Sequence, residues 1–382
     1  MKIAFLTPEY PHPKSSHSGG LGSSIRNLVI ALQQRGHQIL IVIYGQETDE
    51  VFLHQGITIH LIKLRPYTIF GGYRYRKFVQ HYLNRLIDAE KVDIIEAPDW
   101  TGATAFMKLN APLVIRFHGS DAYFCRLENR KQKLKNFLLE LIATKSADAF
   151  VAPTDFAAKL SMEIFGINKN QVVTIPNGLP ISEFHNPTPE VYENGLIVYI
   201  GTIIRKKGVL ELPAIFKEVS DRYPGAHLLL IGADSNDIQT ESSSTWTLLQ
   251  SQLDSKLLSK VQYAGSIPYQ QVMELIKRAH ACVFPTFAET LGMVTIEAMA
   301  MQKAVITSNF GWCKEIIEDG KSGFLVNPTD HKAFADKVVD VLTDDRLRSN
   351  IGHEARKRVE EKYDIEKITE QNIAFYLNLI KR

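Results

Sequence analysis

The chain has 382 residues, of which 45% are apolar and 23% charged, with a formal net charge of +2. That composition describes a globular protein with enough core for two domains, and it gives no electrostatic footprint for nucleic acid. Its cysteines, Cys125, Cys282 and Cys313, are odd in number and lack CxxC or metal-ligand spacing, which argues against a disulfide framework or a zinc site and fits a reducing compartment.

In chain order, KIAFLTP predicts a strand whose apolar run is too short for a signal-peptide core. No later run is long enough to span a bilayer, so the expected location is cytoplasmic. Helical spacing from about Gly20 to Arg35 is followed by HQILIVIYG, ITIHLIKL, a helix near 74–89, VDIIEAP, PLVIRFHG, a helix near 131–145 and ADAFVAPT. Continuous apolar strands separated by helices imply a parallel sheet buried on both faces. VVTIPNGLPISEFHNPTPEVYENG, with four prolines and several turn residues, marks a boundary near 184–194. Beyond it the pattern repeats in GLIVYIGT, HLLLIG, VQYAG, ACVFPT, KAVITSN and GFLVNP. The polar stretch 234–244 reads as a loop, and ITEQNIAFYLNLIKR ends the chain with the spacing of an amphipathic helix. The expected class is α/β with two Rossmann-like domains, 1–185 and 186–364, and a terminal helix in 365–382. One basic run, Arg126, Arg130, Lys131, Lys133 and Lys135, is either a solvated helix face or a patch that meets anionic lipid or an acidic acceptor.

The densest chemical signal is FAETLGMVTIEAMA, residues 287–300. ACVFPT before it reads as a buried strand, and apolar residues at helical spacing follow it. Leu291-Gly292-Met293 therefore joins a strand's carboxyl end to a helix's amino end. There the N–H groups of Gly292, Met293 and Val294 and the positive end of the helix dipole favour a diphosphate, and Gly292 permits close approach. Glu289 is placed to accept hydrogen bonds from sugar hydroxyls, and Glu297, about two turns into the helix, leans back toward its amino end. The alternative makes them a helix-start acid and a solvated one. The apolar surroundings of Glu297 favour the first reading, because a charge there needs a partner.

After GLIVYIG, Arg205, Lys206 and Lys207 cluster at a strand's carboxyl end, where an anion would offset their repulsion; Lys206 alone reads as a surface cation. Such cations can neutralise the charge on a departing nucleoside diphosphate. In the first half, Gly19, Gly20 and Gly22 precede a helix. His118, Gly119, Ser120 and Asp121 follow PLVIRF, with Asp121 expected either to orient His118 or to cap the next segment. Asp99 and Trp100 lie at another strand end that can line an acceptor side, with Trp100 as core in the alternative.

The 287–300 segment resembles the Glu-x7-Glu motif of the retaining glycosyltransferase family 4, and the resemblance runs along nearly the whole chain. It implies the GT-B fold, in which the parallel sheets of two Rossmann-like domains face each other across a cleft. The donor lies on the carboxyl-terminal domain and the acceptor on the amino-terminal one, and the last helix crosses back to the first domain. By resemblance Glu289 holds the sugar, Glu297 the ribose, and Leu291, Gly292 and Met293 the diphosphate. Lys207 and Gly208 match the family's Lys-Gly. The family's arginine position is Thr202 here, and Arg205 is the expected substitute. Ser266 and Ile267, after Tyr263, match the turn whose backbone holds the nucleobase. Gly19-Gly20 matches a loop that closes over the donor, and His118 a histidine near the reacting carbon. Phe310, Gly311, Trp312 and Glu315 occupy a family Gly-Gly turn followed by Pro-Glu, with Trp312 and Lys314 departing from it. Pro176–Gly178 reads as a hinge turn, and Pro180 stands at a family aspartate position, so no role carries over there.

No Asp-x-Asp pair occurs, so fixed cations and a helix amino end are expected in place of a metal ion, with no cofactor. The implied reaction moves a sugar, with retention, from a nucleoside-diphosphate donor to a carbohydrate, lipid-linked or small-molecule acceptor in polysaccharide or glycoconjugate assembly. A nucleotide-sugar epimerase, a phosphorylase and a non-catalytic sugar-nucleotide-binding subunit of the same fold are the alternatives. A nicotinamide dehydrogenase is disfavoured by the lack of a dinucleotide fingerprint.

Overall fold

The computed structural model describes residues 1–16 and 18–381; His17 and Arg382 lie outside the described residues. The chain divides into two compact units. The first runs from Met1 to Gly178 and regains the chain at Ile365, and the second is Leu179–Asp364.

The first unit contains, in order, β1 (Lys2–Thr7), α1 (Gly20–Gln34), β2 (Gln38–Gln46), β3 (Glu50–His54), β4 (Ile57–Lys63), α2 (Gly71–Glu90), β5 (Ile94–Pro98), β6 (Leu113–Arg116), α3 (Asp121–Leu127), α4 (Leu134–Lys145), β7 (Ala149–Ala152), α5 (Asp155–Phe165) and β8 (Val172–Thr174). Its eight-stranded sheet has the order β3-β4-β2-β1-β5-β6-β7-β8. The continuous apolar runs arise because both faces are covered. Along β1, Ile3 and Phe5 point into a core with Val29 and Leu32 of α1, while Ala4 and Leu6 point into another with Val79 and Leu83 of α2. Two strands differ from expectation. β3 is antiparallel to β4 at the sheet's edge, and its alternating half-buried and exposed residues lack the continuous run of the interior strands. β8 pairs with β7 inside the stretch expected to be linker.

The second unit contains β9 (Leu196–Ile200), α6 (Leu212–Arg222), β10 (His227–Ile231), α7 (Thr245–Gln250), α8 (Ser255–Leu258), β11 (Val261–Tyr263), α9 (Tyr269–Arg278), β12 (Ala281–Phe284), α10 (Met293–Ala300), β13 (Val305–Ser308), α11 (Gly311–Ile316), β14 (Phe324–Val326), α12 (His331–Thr343) and α13 (Asp345–Lys362). Its six strands follow the order β11-β10-β9-β12-β13-β14 and pair in parallel throughout. The chain winds outward from β9 through β10 to β11, then returns to β12 on the other side of β9. The loops after β9 and β12 therefore leave the sheet side by side in opposite directions, the switch point at which open α/β sheets bind ligands.

The terminal helix α14 (Ile365–Ile380) belongs to the first unit. Beneath it the buried guanidinium of Arg116 grips the Glu96 carboxylate at 2.7 and 2.9 Å, and the pair is satisfied by Asn372 and Tyr376 of α14, each at 2.5 Å. Arg35 adds outer ion pairs to Glu366 and Glu370. The division falls at 178/179 rather than after 185. The Leu179 N–H donates to the Tyr363 carbonyl at 2.7 Å and Leu179 bridges Asp364, which draws the proline-rich stretch into the second unit. The basic run is not one helix face. Arg130, Lys131 and Lys133 lie between α3 and α4, and Arg130 is bound by Glu128 at 3.2 Å and Asp121 at 3.4 Å. No helix among the described residues is long and apolar enough to cross a membrane.

Candidate functional site

In the second unit the cation loop after β9 is sewn to the loop after β12. The carbonyl of Lys206 accepts the N–H groups of Phe287 at 2.9 Å and Ala288 at 3.3 Å. Gly208 makes this approach possible. Its φ is +71°, and a Cβ there would lie 1.7 Å from the Pro285 carbonyl oxygen, so no other residue fits. The result is a direct hydrogen-bonded ion pair between Lys207 Nζ and Glu289 Oε1, while Glu289 Oε2 accepts the Thr290 N–H at 3.2 Å. Burial and the neighbouring Lys206 charge bring Lys207 down to about 7.

Arg205 is turned elsewhere. Its guanidinium binds both oxygens of Asp237, at 2.7 and 2.8 Å, and holds that buried carboxyl well below the usual range. The charge expected to replace the arginine missing at Thr202 is thus matched by a carboxylate of the loop after β10. Beyond Glu289, Leu291 is buried, and Gly292 adopts φ +85° as the first flank of α10, with no side-chain cap on the helix. The N–H groups of a helix's first turn have no partner within the helix. Glu297, half-buried on α10, is pushed up to about 7 by burial and takes a hydrogen bond from the hydroxyl of Tyr269 at the start of α9.

Ser266 is exposed and Ile267 half-buried in the turn between β11 and α9, with the Gly265 carbonyl pinned by the Gly232 N–H at 2.9 Å. Trp312 is a buried core residue whose ring stacks on Phe310 at 5.5 Å. The carbonyl of Glu315 accepts from Arg358 at 2.9 Å and Tyr363 at 3.2 Å. Lys207, Ser266, Glu289, Gly292 and Phe310 all follow carboxyl ends of strands in this sheet, and the structure brings the side chains of Lys207 and Glu289 into direct contact.

The first unit fills its strand ends with its own carboxylates. Asp99, buried after β5, accepts the N–H groups of His118 at 2.9 Å and Gly119 at 3.3 Å, and burial pushes its carboxyl up to about 7. Burial and the Arg116 charge push His118 down to about 3, leaving a neutral imidazole. The cap of α3 is Ser120, whose Oγ accepts the Tyr123 N–H at 3.1 Å, not Asp121. Asp121 binds Asn136 at 3.1 Å and Arg130 at 3.4 Å, so its carboxylate is engaged on the α4 side rather than on His118. Trp100 is 47% exposed and not core. Ahead of α1, Glu9 Oε1 accepts the N–H groups of Gly19 at 2.9 Å and Gly22 at 2.7 Å, while Gly20 opens the helix.

Glu9, Asp237 and Tyr269 are the partners that sequence reasoning missed. Only Glu9 carried a signal, as an acid placed between a strand and a glycine-initiated helix. Among the described residues no group of three or more His, Cys, Asp or Glu side chains is arranged to hold a metal ion.

Comparison with known proteins agrees with this architecture. Residues 181–358 match the family model for glycosyl transferases group 1, and residues 18–183 that for Glycosyltransferase Family 4. CapM of Staphylococcus aureus, a capsular polysaccharide biosynthesis glycosyltransferase, is 30% identical over 261 residues, which span 64% of this chain and 65% of CapM. The fold is that of sucrose-phosphate synthase from Thermosynechococcus elongatus, with a TM-score of 0.80 at 20% identity over 100% of this chain and 99% of that one. Anabaena HepE, solved in complex with UDP and glucose, superposes with a TM-score of 0.75 at 19% identity over 99% of both chains. With one family model on each unit and GT-B structures matching from end to end, the chain belongs to the family 4-type GT-B glycosyltransferases.

Proposed function

We propose that this glycosyltransferase moves a sugar from a nucleoside-diphosphate donor to an acceptor hydroxyl with retention at the anomeric carbon and without a metal ion. The observation that carries this reading is the Lys207–Glu289 ion pair at the switch point of the second sheet, next to the amino end of α10. An incoming diphosphate competes for Lys207. It lies against α10's first N–H groups while the ammonium, drawn from Glu289, neutralises the charge that grows on the leaving group. Glu289 is then released to accept hydrogen bonds from the sugar's hydroxyls. Glu297, steadied by Tyr269, takes the ribose, and the Ser266–Ile267 backbone the base. Arg205, neutralised by Asp237, shapes the loop that carries Lys207 and contributes little charge of its own. In the first unit, neutral His118 offers one donor and one acceptor to a sugar hydroxyl, and exposed Trp100 lines the acceptor side. The UDP bound by HepE and the polysaccharide role of CapM support a nucleotide-sugar donor and a carbohydrate-chain product.

A thermal-shift screen of nucleoside-diphosphate sugars on the wild type, Lys207→Ala and Glu297→Ala tests the donor assignment. One donor is expected to stabilise the wild type and neither variant; if no nucleotide stabilises the wild type, the assignment fails. Product analysis by NMR should show the donor's anomeric configuration, and turnover should persist in EDTA. Inversion, or loss of turnover on chelation, would remove the corresponding part of the mechanism. Donor turnover without any acceptor, giving an epimerised nucleotide sugar, would favour the epimerase instead.

A further inference from the structure

At the opposite end of the second sheet, where β12 and β13 begin, lies a cavity of about 340 Å³ whose lining includes Glu190, Lys303, Arg348, Asn350, His353 and Glu354. Lys303 stands out among these. It is 3% exposed, yet no described residue forms a hydrogen bond or ion pair with its ammonium. The ammonium is not sealed from solvent; the small exposure of the residue leaves it open to the cavity, where a bound anion can complete it. Burial and the nearby Arg348 charge bring Lys303 down to about 8, so it keeps its proton at neutral pH.

The walls are fixed. Arg348, 9% exposed, is tied to Asp345 at 2.7 Å and His280 at 2.9 Å, and its guanidinium lies 3.9 Å from the centre of the Tyr192 ring. Gly352 lets α13 press against the turn after α10, since a Cβ there would lie 2.2 Å from the Gln302 carbonyl oxygen. The floor is cationic, and Glu190, exposed, and Glu354, half-buried, bring acceptors to the same cavity. Cations together with carboxylate acceptors suit an anion that also carries hydroxyls, and the volume is at the small end of ligand pockets, which begin at roughly 300 Å³.

We propose that this cavity binds the phosphate ester of a small sugar or polyol, with the Lys303 ammonium and Arg348 receiving the phosphate and Glu190 and Glu354 the hydroxyls. The site is separate from the donor site, which lies at the carboxyl ends of the same strands.

The test uses the full chain with saturating UDP to occupy the donor end, ionic strength held constant with potassium chloride, and glucose 1-phosphate as the probe. The wild type should show a rise of a few degrees in Tm, with a smaller rise for inorganic phosphate. Lys303→Met should melt no lower than the wild type without the ester, because it keeps the buried stem and removes a partly desolvated charge that no carboxylate binds, and should lose the ester-dependent shift. Asn350→Asp, at an exposed position, should weaken the ester several-fold through repulsion even if Lys303→Met folds poorly. Lys207→Ala should keep the shift. No shift in the wild type, a shift that survives both cavity variants, or one abolished by Lys207→Ala would overturn the proposal. A headgroup source is tested by cosedimentation with phosphatidylglycerol vesicles. Binding there that depends on Lys303, with no response to glucose 1-phosphate, would replace the soluble ester and also overturn it.

Discussion

Both sheets end in loops able to hold an anion, and the two units treat those loops differently. In the first, the glycine N–H groups ahead of α1 are taken by Glu9, and the N–H groups of His118 and Gly119 by Asp99. In the second, α10 begins without a side-chain cap, and Glu289, just ahead of it, is ion-paired to Lys207. An amide cradle occupied by the chain's own carboxylate is finished when the protein folds. One without a carboxylate cap is, on the proposed reading, where a phosphate lies, with the Lys207 ammonium passing to it from Glu289.

The contrast is put at greatest risk by Lys207→Ala. Loss of the cation should lower kcat/KM by about 10²–10³, the scale of a group that stabilises developing charge, as steady-state kinetics would read. A fall of less than tenfold would mean that the second edge is as self-contained as the first. Gly208→Ala comes next. Its Cβ cannot coexist with the Pro285 carbonyl, so urea denaturation should show a loss of roughly 3 kcal/mol, or the loop should detach from Phe287 and take Lys207 with it.

Much of this architecture was legible. The runs of β1, β2 and β9 are apolar without interruption because helices cover both faces of each sheet, and that same cover makes the pattern strong. β3 was not legible because an edge strand with one exposed side shows only five alternating residues, and β8 because its three residues sit beside the prolines of the boundary. In the site, the Gly292 turn and the Glu289 and Lys207 positions could be read from local spacing, and Gly208 from the family resemblance. The partners could not. Nothing local says that Arg205 meets Asp237 thirty-two residues on, or that Tyr269 reaches Glu297. Trp312 at a glycine position looked like a departure in the site and proved to be a core residue of α11. Side chains that point away from a strand end depend on contacts that sequence order does not encode.

Asp99 sharpens the first unit's half of the comparison. Asp99→Ala leaves two buried N–H groups without their acceptor and should cost about 1–3 kcal/mol in chemical denaturation. The two N–H groups meet different oxygens, so Asp99→Asn keeps an acceptor for only one of them and should cost about half as much as the alanine at pH 7. Because the native carboxyl sits near 7 and the free one near 4, the native state binds the extra proton between those values, so stability from this group falls as pH rises through that window. The Asn variant should lack that slope. Lys207 acts with the opposite sign. Its native value near 7 lies below the free amine's 10.5, so the unfolded chain binds more protons from 7 to 10.5, and stability from this group rises with pH there. Donor affinity should fall over the same range, by at most about tenfold per pH unit, since the diphosphate needs the charged form. Calorimetric titration with the donor at pH 6.5, 7.5 and 8.5 would show it. A flat profile would mean that Lys207 keeps its proton throughout.

The smallest effect is the one that asks whether occupancy by Glu9 is what separates the two units. Glu9→Ala frees the N–H groups of half-buried Gly19 and buried Gly22, and water entering the space left by the carboxylate can replace it, so the stability cost should be only about 1 kcal/mol. The vacated turn is then a helix amino end flanked by glycine, chemically the same cradle that α10 offers. If the carboxylate alone had closed it, sulfate should now perturb the Gly19 and Gly22 amide resonances in the variant and leave them unmoved in the wild type and in Glu9→Gln, whose amide oxygen can still accept. If sulfate leaves Glu9→Ala unmoved as well, backbone geometry is not enough to make an anion site. The second unit's competence would then come from Lys207 and its neighbours rather than from the uncapped helix.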